Sequence, residues 1–334
     1  MYEMNSGIFE TVEEAVRASA NAFELFSKFS LRERNNLLTN LRLKLLNHIA
    51  ELASMEKDET GMGVAKDKAL QIERAIIGTL GPDQITREAA SDEEGLFIRE
   101  SFPYGISAAL HPINHPVASI INCSIMLLAG GNSVIHLIPK RAEKVSRYTV
   151  RLINSYINEI CGIPNLSVCM GDNRYEYNRE IMEHPDTALI VVTGGEDAVR
   201  CALSLKKRVI AAGTANPVAI VDKECDLKKA AKIVAEDISF DNNLLCTSEK
   251  CAVVLEEAVA EFGYHLSQEG VFLLNAGQAD ALMNLVFDGD LNIRKEYVGK
   301  DAEELLKAIG VSIAMNGEYK ALAFETEVVS PFVV

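Results

Sequence analysis

Apolar residues near the start of the chain recur at three- and four-residue steps. Leu37, Leu38, Leu41, Leu45, Ile49 and Leu52 form one stripe, and Val12, Val16, Phe23 and Phe26 another. A period near 3.6 places each set on one face of a helix, so both read as packing faces. From about Gly95 the rhythm changes. "LFIRESFPYG" reads as two strands joined at a Pro-Tyr-Gly turn. Short apolar runs then alternate with helical segments. "ISAAL" leads to a helix after Pro116, "SVIHLI" to one from Ala142, "LSVCM" to one near Tyr175 and "ALIVV" to one after Gly195. "RVIAA" and "VAIVD" close the series, with a helix after Asp226. Such alternation predicts an α/β fold whose parallel sheet is doubly wound and covered on both faces. The turn-formers of "AAGTANP" place a domain change there, between a domain over 1–214 and another over 215–334.

With 334 residues, 48% of them hydrophobic, the chain can bury the cores of one large domain or two ordinary ones. Charges and glycines interrupt every apolar run before it reaches transmembrane length. "MYEMNSGIFETVEEAV" is acidic early and lacks the basic start and apolar core of a secretory signal, so a cytoplasmic location and no membrane partner are expected. The net charge of -15 argues against nucleic acid as a partner. The seven cysteines, at 123, 161, 169, 201, 225, 246 and 251, include no Cys-x-x-Cys pair, and the six histidines do not cluster with them. Neither a disulfide framework nor a metal site is expected, and free thiols suit a reducing compartment.

Four segments carry candidate chemistry, and each has a plainer reading. No strand–GxGxxG–helix fingerprint and no Walker loop occur. The nearest substitute is "ALIVVTGGEDAV", where Thr193, Gly194 and Gly195 join a strand to a helix. The glycines either make an ordinary βα turn or let a phosphate approach the helix N-terminus. In "ALHPINHPVASI" two prolines bracket Ile113, Asn114 and His115. The side chain of Asn114 or His115 caps the helix that follows, which the residues alone favour, or the Asn114 amide faces an oxyanion. After Pro139 come the cations Lys140, Arg141 and Lys144, either a solvated face or a site for adenosine phosphates. "SFDNNLLCTSEK" puts Cys246 after an Asp-Asn-Asn turn, as a small core residue or as a thiol held out for chemistry.

Taken in order, these segments resemble the aldehyde dehydrogenase superfamily, and within it most resemble the CoA-acylating aldehyde dehydrogenases of the acetaldehyde and propionaldehyde type. "VVTGGE", "RVIAAGTANP" and "SFDNNLLCTSEK" carry the resemblance most specifically. It implies an N-terminal NAD(P)-binding domain, a catalytic domain and an oligomerising arm, whose start "GLFIRESFPYG" matches near residues 95–105. It further implies that Cys246 is the nucleophile, and that the Asn114 amide and the Cys246 backbone N–H receive the oxyanion. Thr193, Gly194 and Gly195 match the cofactor turn, and Pro139 the adenosine side. NAD, or NADP, would be the cofactor and coenzyme A the co-substrate. A small aldehyde, a homo-oligomer (dimer or tetramer) and association with a bacterial microcompartment are the partners implied.

Hydrolytic members carry a glutamate in the segment equivalent to "AAGTANP". Here Ala212 stands in its place, and no carboxylate occurs between Arg208 and Val221. Without a general base to activate water, an acyl-enzyme thioester would wait for a thiol such as coenzyme A. Two features depart from the acylating pattern. His115 stands where acylating members usually have Asn, with Asn one position earlier at 114 as in hydrolytic members. The family also continues well beyond the equivalent of Val334, through the glutamate that holds the nicotinamide ribose. The catalytic domain is therefore expected to be incomplete, and the chain to be nearly inactive and prone to associate through edges around "LAFETEVVSPFVV". The alternative to an acylating dehydrogenase is a remnant that keeps the fold and nucleotide binding without turnover. A plain nucleotide-binding module with Cys246 in its core is a third reading, which the ordered motifs disfavour.

Overall fold

The computed structural model describes residues 7–172, 174–312 and 318–326. The chain forms two compact units, one of residues 1–60 and 68–214, the other of 61–67 and 215–334. The short segment 61–67 is thus separated in sequence from the rest of its unit.

In the first unit β1 (Ile8–Phe9) is followed by helices α1 (Val12–Phe26), α2 (Leu31–Leu45), α3 (Ile49–Thr60) and α4 (Ala65–Gly78), the first turn of α4 belonging to the second unit. Thr11 caps α1, and a Ser30–Glu33 capping box starts α2. The 37–52 stripe is therefore not one helix. A single 3₁₀ turn at Leu46–His48 divides it between α2 and α3, and its leucines stay buried on both sides of the break.

The hairpin lies elsewhere than the pattern suggests. Strand β2 (Glu88–Asp92) pairs antiparallel with β3 (Gly95–Arg99), so the turn falls at Glu93–Glu94, where the Asp92 carboxylate accepts the N–H groups of Glu94 and Gly95. Pro103–Gly105 instead leads into the next strand. Both hairpin strands are exposed along their whole length, including Leu96, Phe97 and Ile98.

The alternating elements follow in order: β4 (Ile106–Leu110), α5 (Pro116–Ala129), β5 (Ser133–Leu137), α6 (Glu143–Cys161), β6 (Ser167–Met170), α7 (Tyr175–Glu183), β7 (Thr187–Thr193), α8 (Glu196–Ser204) and β8 (Arg208–Ala212). All pair parallel in the order β1-β6-β5-β4-β7-β8. One sheet face, with Ile106, Ala108, Ile135 and Ile190, packs on α1, α7 and α8. The other face, with Ala109, Val134 and Leu189, meets Cys123 and Leu127 of α5. Helices α2 to α6 extend that side into the largest core. Strand β8, at the sheet edge, is largely exposed.

The second unit begins with the parallel pair β9 (Val218–Val221) and β10 (Cys251–Val254), with α9 (Leu227–Ser239) between them in the chain. Asp226 caps α9 by accepting the Lys229 N–H. Then come α10 (Glu256–Gln268), β11 (Val271–Leu273), α11 (Ala276–Val286), α12 (Ala302–Ala308) and β12 (Ala321–Ala323), with β12 parallel to β11. Val221, Ala231, Val234, Phe262 and Leu266 form its main core. The stretch from residue 327 onward, where an open edge is expected, lies outside the described residues.

Candidate active site

In the first unit the order β6-β5-β4-β7-β8 reverses direction at β4. The chain moves outward from β4 through β5 and β6, then returns to β7 on its other side. Ligands of such sheets bind beyond the carboxyl ends of the strands at this switch point. The loops there are residues 111–115 after β4, Pro139 after β5, and Gly194–Gly195 after β7. The structure thus brings Asn114, Pro139, Thr193, Gly194 and Gly195 to one end of three adjacent strands. Lys140, Arg141 and Lys144 at that end are exposed.

The Gly194 N–H donates to the Ala212 carbonyl at 3.1 Å, which prolongs the β7–β8 ladder, so it is not available to a phosphate. Gly195 is the N-cap of α8 and makes no side-chain cap. Among the described residues, its chain neighbours aside, no atom lies within 4 Å of the position a Cβ would take there, so the backbone at the start of α8 is open on that side. Glu196 and Asp197 occupy that turn and already complement its dipole. The turn therefore fits a dinucleotide by its openness and by the lack of a blocking side chain, not by surplus positive charge.

The loop after β4 is held from beneath by two buried polar groups. His115, one of the two capping candidates from the sequence, does not cap α5. His115 sits at the N-cap position without a side-chain cap bond, and Glu56 of α3 instead accepts the Val117 N–H at 3.3 Å. A carboxylate from another helix can take this role because Pro116 at the first helical position removes one donor and α3 packs against α5. Lys68 joins Glu56 at 2.9 Å, and its ammonium also donates to the Asn114 carbonyl at 3.0 Å. Both side chains are almost wholly buried. His115 is kept neutral: burial first, then the Lys68 charge, push its pKa down to about 4. Its buried Nδ1 makes no hydrogen bond among the described residues.

The second support is a histidine chain. His111 Nδ1 lies 2.8 Å from Ser119 Oγ, and its Nε2 lies 2.8 Å from Nδ1 of His136 on β5. His136 Nε2 meets Ser124 and Ser167 at 3.1 and 3.0 Å. Burial drives the pKa of His111 well below its ordinary value and that of His136 down to about 3, so both rings are neutral and link strand ends rather than carry charge.

In the second unit, the Asp-Asn-Asn turn before Cys246 is a left-handed one. Asp241, Asn242 and Asn243 have φ of 50, 54 and 57°. That conformation costs roughly 1–2 kcal/mol per residue, least for Asn and Asp, and three in succession need external support. The buried Asp241 carboxylate accepts the Val64 N–H at 2.7 Å, and its own N–H donates to Asp67 at 2.9 Å. The Asn242 amide donates to the Gly299 carbonyl at 3.0 Å and to Asp301 at 2.8 Å, and the Asn243 amide to the Glu249 carbonyl at 3.1 Å. Gly63, at φ +71°, is required here, because a Cβ would fall on the Asp241 carboxylate. The turn delivers a half-buried Cys246 whose N–H and thiol make no hydrogen bond among the described residues. Cys123 and Cys169 are buried in the sheet's cores, and burial pushes both of those thiols up to about 12.

Residues 1–277 match the model of the aldehyde dehydrogenase family. The chain belongs to that family. Over 308 residues the chain is 34% identical to the CoA-propanoylating propanal dehydrogenase of Salmonella typhimurium, covering 92% of this chain and 66% of the relative. The chain spans about two thirds of the length of the curated relatives it matches. Its structure is similar to that of Rhodopseudomonas palustris propionaldehyde dehydrogenase with bound propionyl-CoA, with a TM-score of 0.94, 32% identity, and coverage of 98% of this chain and 73% of that one. It is equally similar (TM-score 0.94, 32% identity, 98% and 75% coverage) to a propionaldehyde dehydrogenase from the fucose utilisation bacterial microcompartment of Clostridium phytofermentans. The α/β fold of the chain, with its parallel Rossmann-like sheet, is that of these propionaldehyde dehydrogenase structures.

Glu56, Lys68, His111, His136, Asp241 and Gly63 escaped the sequence reading. A signal for several of them exists. Glu56 and Lys68 fall in step with the apolar stripes ending at Leu52 and beginning at Ile72, and His136 interrupts an apolar strand. A charge on a buried face calls for a partner, although the sequence does not say which. Among the described residues no helix is long and apolar enough to cross a membrane, and no group of three or more His, Cys, Asp or Glu is placed to hold a metal ion.

Proposed function

We propose that this aldehyde dehydrogenase converts a short-chain aldehyde and coenzyme A to an acyl-CoA, with Cys246 as the nucleophile. The observation that carries the reading is the Cys246 loop, in which three left-handed residues, each held by named partners, present a half-buried thiol with an unengaged N–H. Such a device is costly for a residue that only fills space. In the proposed course the Cys246 thiol releases its proton to solvent, its sulfur bonds the aldehyde carbon as the C=O π bond breaks, and the oxygen becomes an oxyanion received by the Cys246 N–H. We give the Asn114 amide the second donor role. A nicotinamide dinucleotide, NAD or NADP, supplies a hydride acceptor when bound, for which the Thr193–Gly195 turn and Pro139 are the proposed contacts. The resulting Cys246 thioester is then exchanged to the coenzyme A sulfur, which bonds the acyl carbon as the Cys246 sulfur leaves with the proton.

Ala212 supports transfer to a thiol over hydrolysis, since neither it nor any residue from Val209 to Val221 offers a carboxylate to activate water. The proposed setting is the cytoplasm, in association with a bacterial microcompartment. The exposed hairpin is the proposed contact between copies. The test is intact-mass measurement after mixing the protein with propionaldehyde and NAD, alongside NADH formation with and without coenzyme A. A stable acyl adduct on Cys246, discharged by coenzyme A, is expected. Steady release of free acid without coenzyme A would overturn the acylating assignment, and an adduct on another cysteine would overturn Cys246.

A further inference from the structure

Lys250 stands four residues beyond Cys246, immediately before β10. Its backbone N–H donates to the Pro217 carbonyl at 3.0 Å, continuing the β9–β10 ladder, so the sheet fixes its backbone. The half-buried side chain turns back along the chain. Its ammonium donates to the Asn243 carbonyl at 2.9 Å, to the Leu245 carbonyl at 2.7 Å and to Asn243 Oδ1. These oxygens belong to the last left-handed residue and to the residue directly before the thiol. All three acceptors are neutral, so the cage satisfies the donors without cancelling the charge.

The charged and titratable groups facing Lys250 are Asp237 of α9, Cys246 and Glu249. Burial lowers the Lys250 ammonium from its ordinary value, and these three groups oppose that shift, Asp237 most. Glu249 is itself raised, chiefly by its hydrogen bond with Asp237.

We infer that Lys250 is a positioning residue for the nucleophile, an ammonium clamp on the carbonyls of residues 243 and 245 that fixes the direction of the Cys246 thiol and N–H. The inference rests on Cys246 being the nucleophile. The physical need is specific. The left-handed turn relaxes towards ordinary backbone unless its carbonyls are tied, and relaxation rotates the peptide that carries the Cys246 N–H. An ammonium has three rotatable donors around one point, which suits three acceptors converging from different directions. A planar guanidinium fork does not match that geometry.

The test is the rate of Cys246 alkylation by iodoacetamide, divided by that of Cys225, an exposed thiol of the same unit that the clamp does not touch. In the native chain Cys246 is expected to label faster than Cys225. K250M is expected to lower the ratio about tenfold, the scale of a misplaced reacting group, with thermal unfolding unchanged within a few degrees. K250R restores it only in part. In K250A, added propylammonium is expected to recover the ratio, a readout that general loosening of the loop would not give. Should K250M fail to fold, K250Q carries the same comparison. A native ratio in folded K250M or K250Q, or no recovery of K250A with propylammonium, would overturn the clamp. Labelling of Cys246 no faster than that of Cys225 in the native chain would instead remove the nucleophile reading, and the clamp with it.

Discussion

The loop after β4 and the loop before β10 each hold a residue assigned to the proposed chemistry, but by opposite means. Asn114 is gripped from inside the core, through the buried Lys68–Glu56 pair and beside the neutral His111–His136 chain. Cys246 is gripped in a half-buried shell, by neutral amides, single carboxylates and an ammonium acting on a left-handed backbone. The difference follows from what each residue must do. An amide that only donates can be built on the core, where low polarity strengthens its supports. A thiol that must be attacked, acylated and discharged has to stay reachable, so only one of its anchors, the Asp241 carboxylate, is fully buried, and the amides and the ammonium that act nearer the thiol are half-buried.

The largest effect that would sharpen this contrast is expected from Lys68→Met. It removes the cation from beside the buried Glu56 and the donor from the Asn114 carbonyl. Losing one partner of a buried pair typically costs about 3–5 kcal/mol, to be read from chemical denaturation. A loss below about 1 kcal/mol, within the range of an exposed pair, would break the comparison.

Next comes acid. His115 and His136 are held to about 4 and about 3 in the folded chain, while unfolded histidine titrates near 6.5. Below that value the unfolded state binds protons that the folded state refuses, so the stability these two histidines contribute rises with pH up to about 6.5 and is level above it. Unfolding midpoints of the native chain should therefore fall as pH drops from about 6.5 towards 4. His136→Gln should flatten part of that fall, and an unchanged slope in this variant would show that the chain of rings is not a neutral strut.

Gly63→Ala tests the other loop. It forces a Cβ onto the Asp241 carboxylate from a left-handed backbone position, with an expected cost of about 1–3 kcal/mol and slower labelling of Cys246 at the same time. Full stability with native labelling would mean that the Asp241 anchor is dispensable. The smallest effect is expected from Asn242→Ala, which loses the bonds to Gly299 and Asp301 and leaves alanine in a left-handed conformation, for about 1–2 kcal/mol. Asn242→Gly should recover most of the conformational part, separating backbone strain from lost hydrogen bonds.

The sequence by itself determined the alternation of strands and helices, the order of the loops at the sheet's carboxyl ends, and the absence of a carboxylate beside Ala212. These are local facts of periodicity, turn chemistry and residue identity. The resemblance of the ordered motifs added the family, which the comparisons bear out. Misreadings came where a local pattern was ambiguous: the 37–52 stripe is broken by a 3₁₀ turn that keeps its leucines in phase, and the hairpin turn is made by Asp92 rather than by Pro103–Gly105. Only the tertiary structure decided what caps α5 and what supports the Asp-Asn-Asn turn. Glu56 lies 61 residues from the N–H it accepts, Lys68 46 from the Asn114 carbonyl, and Asp241 177 from Val64. Nothing in a local window marks those distant groups as partners, because hydrogen bonds and ion pairs act over a few ångströms in space, and it is the packed core that brings residues so far apart in sequence within that reach.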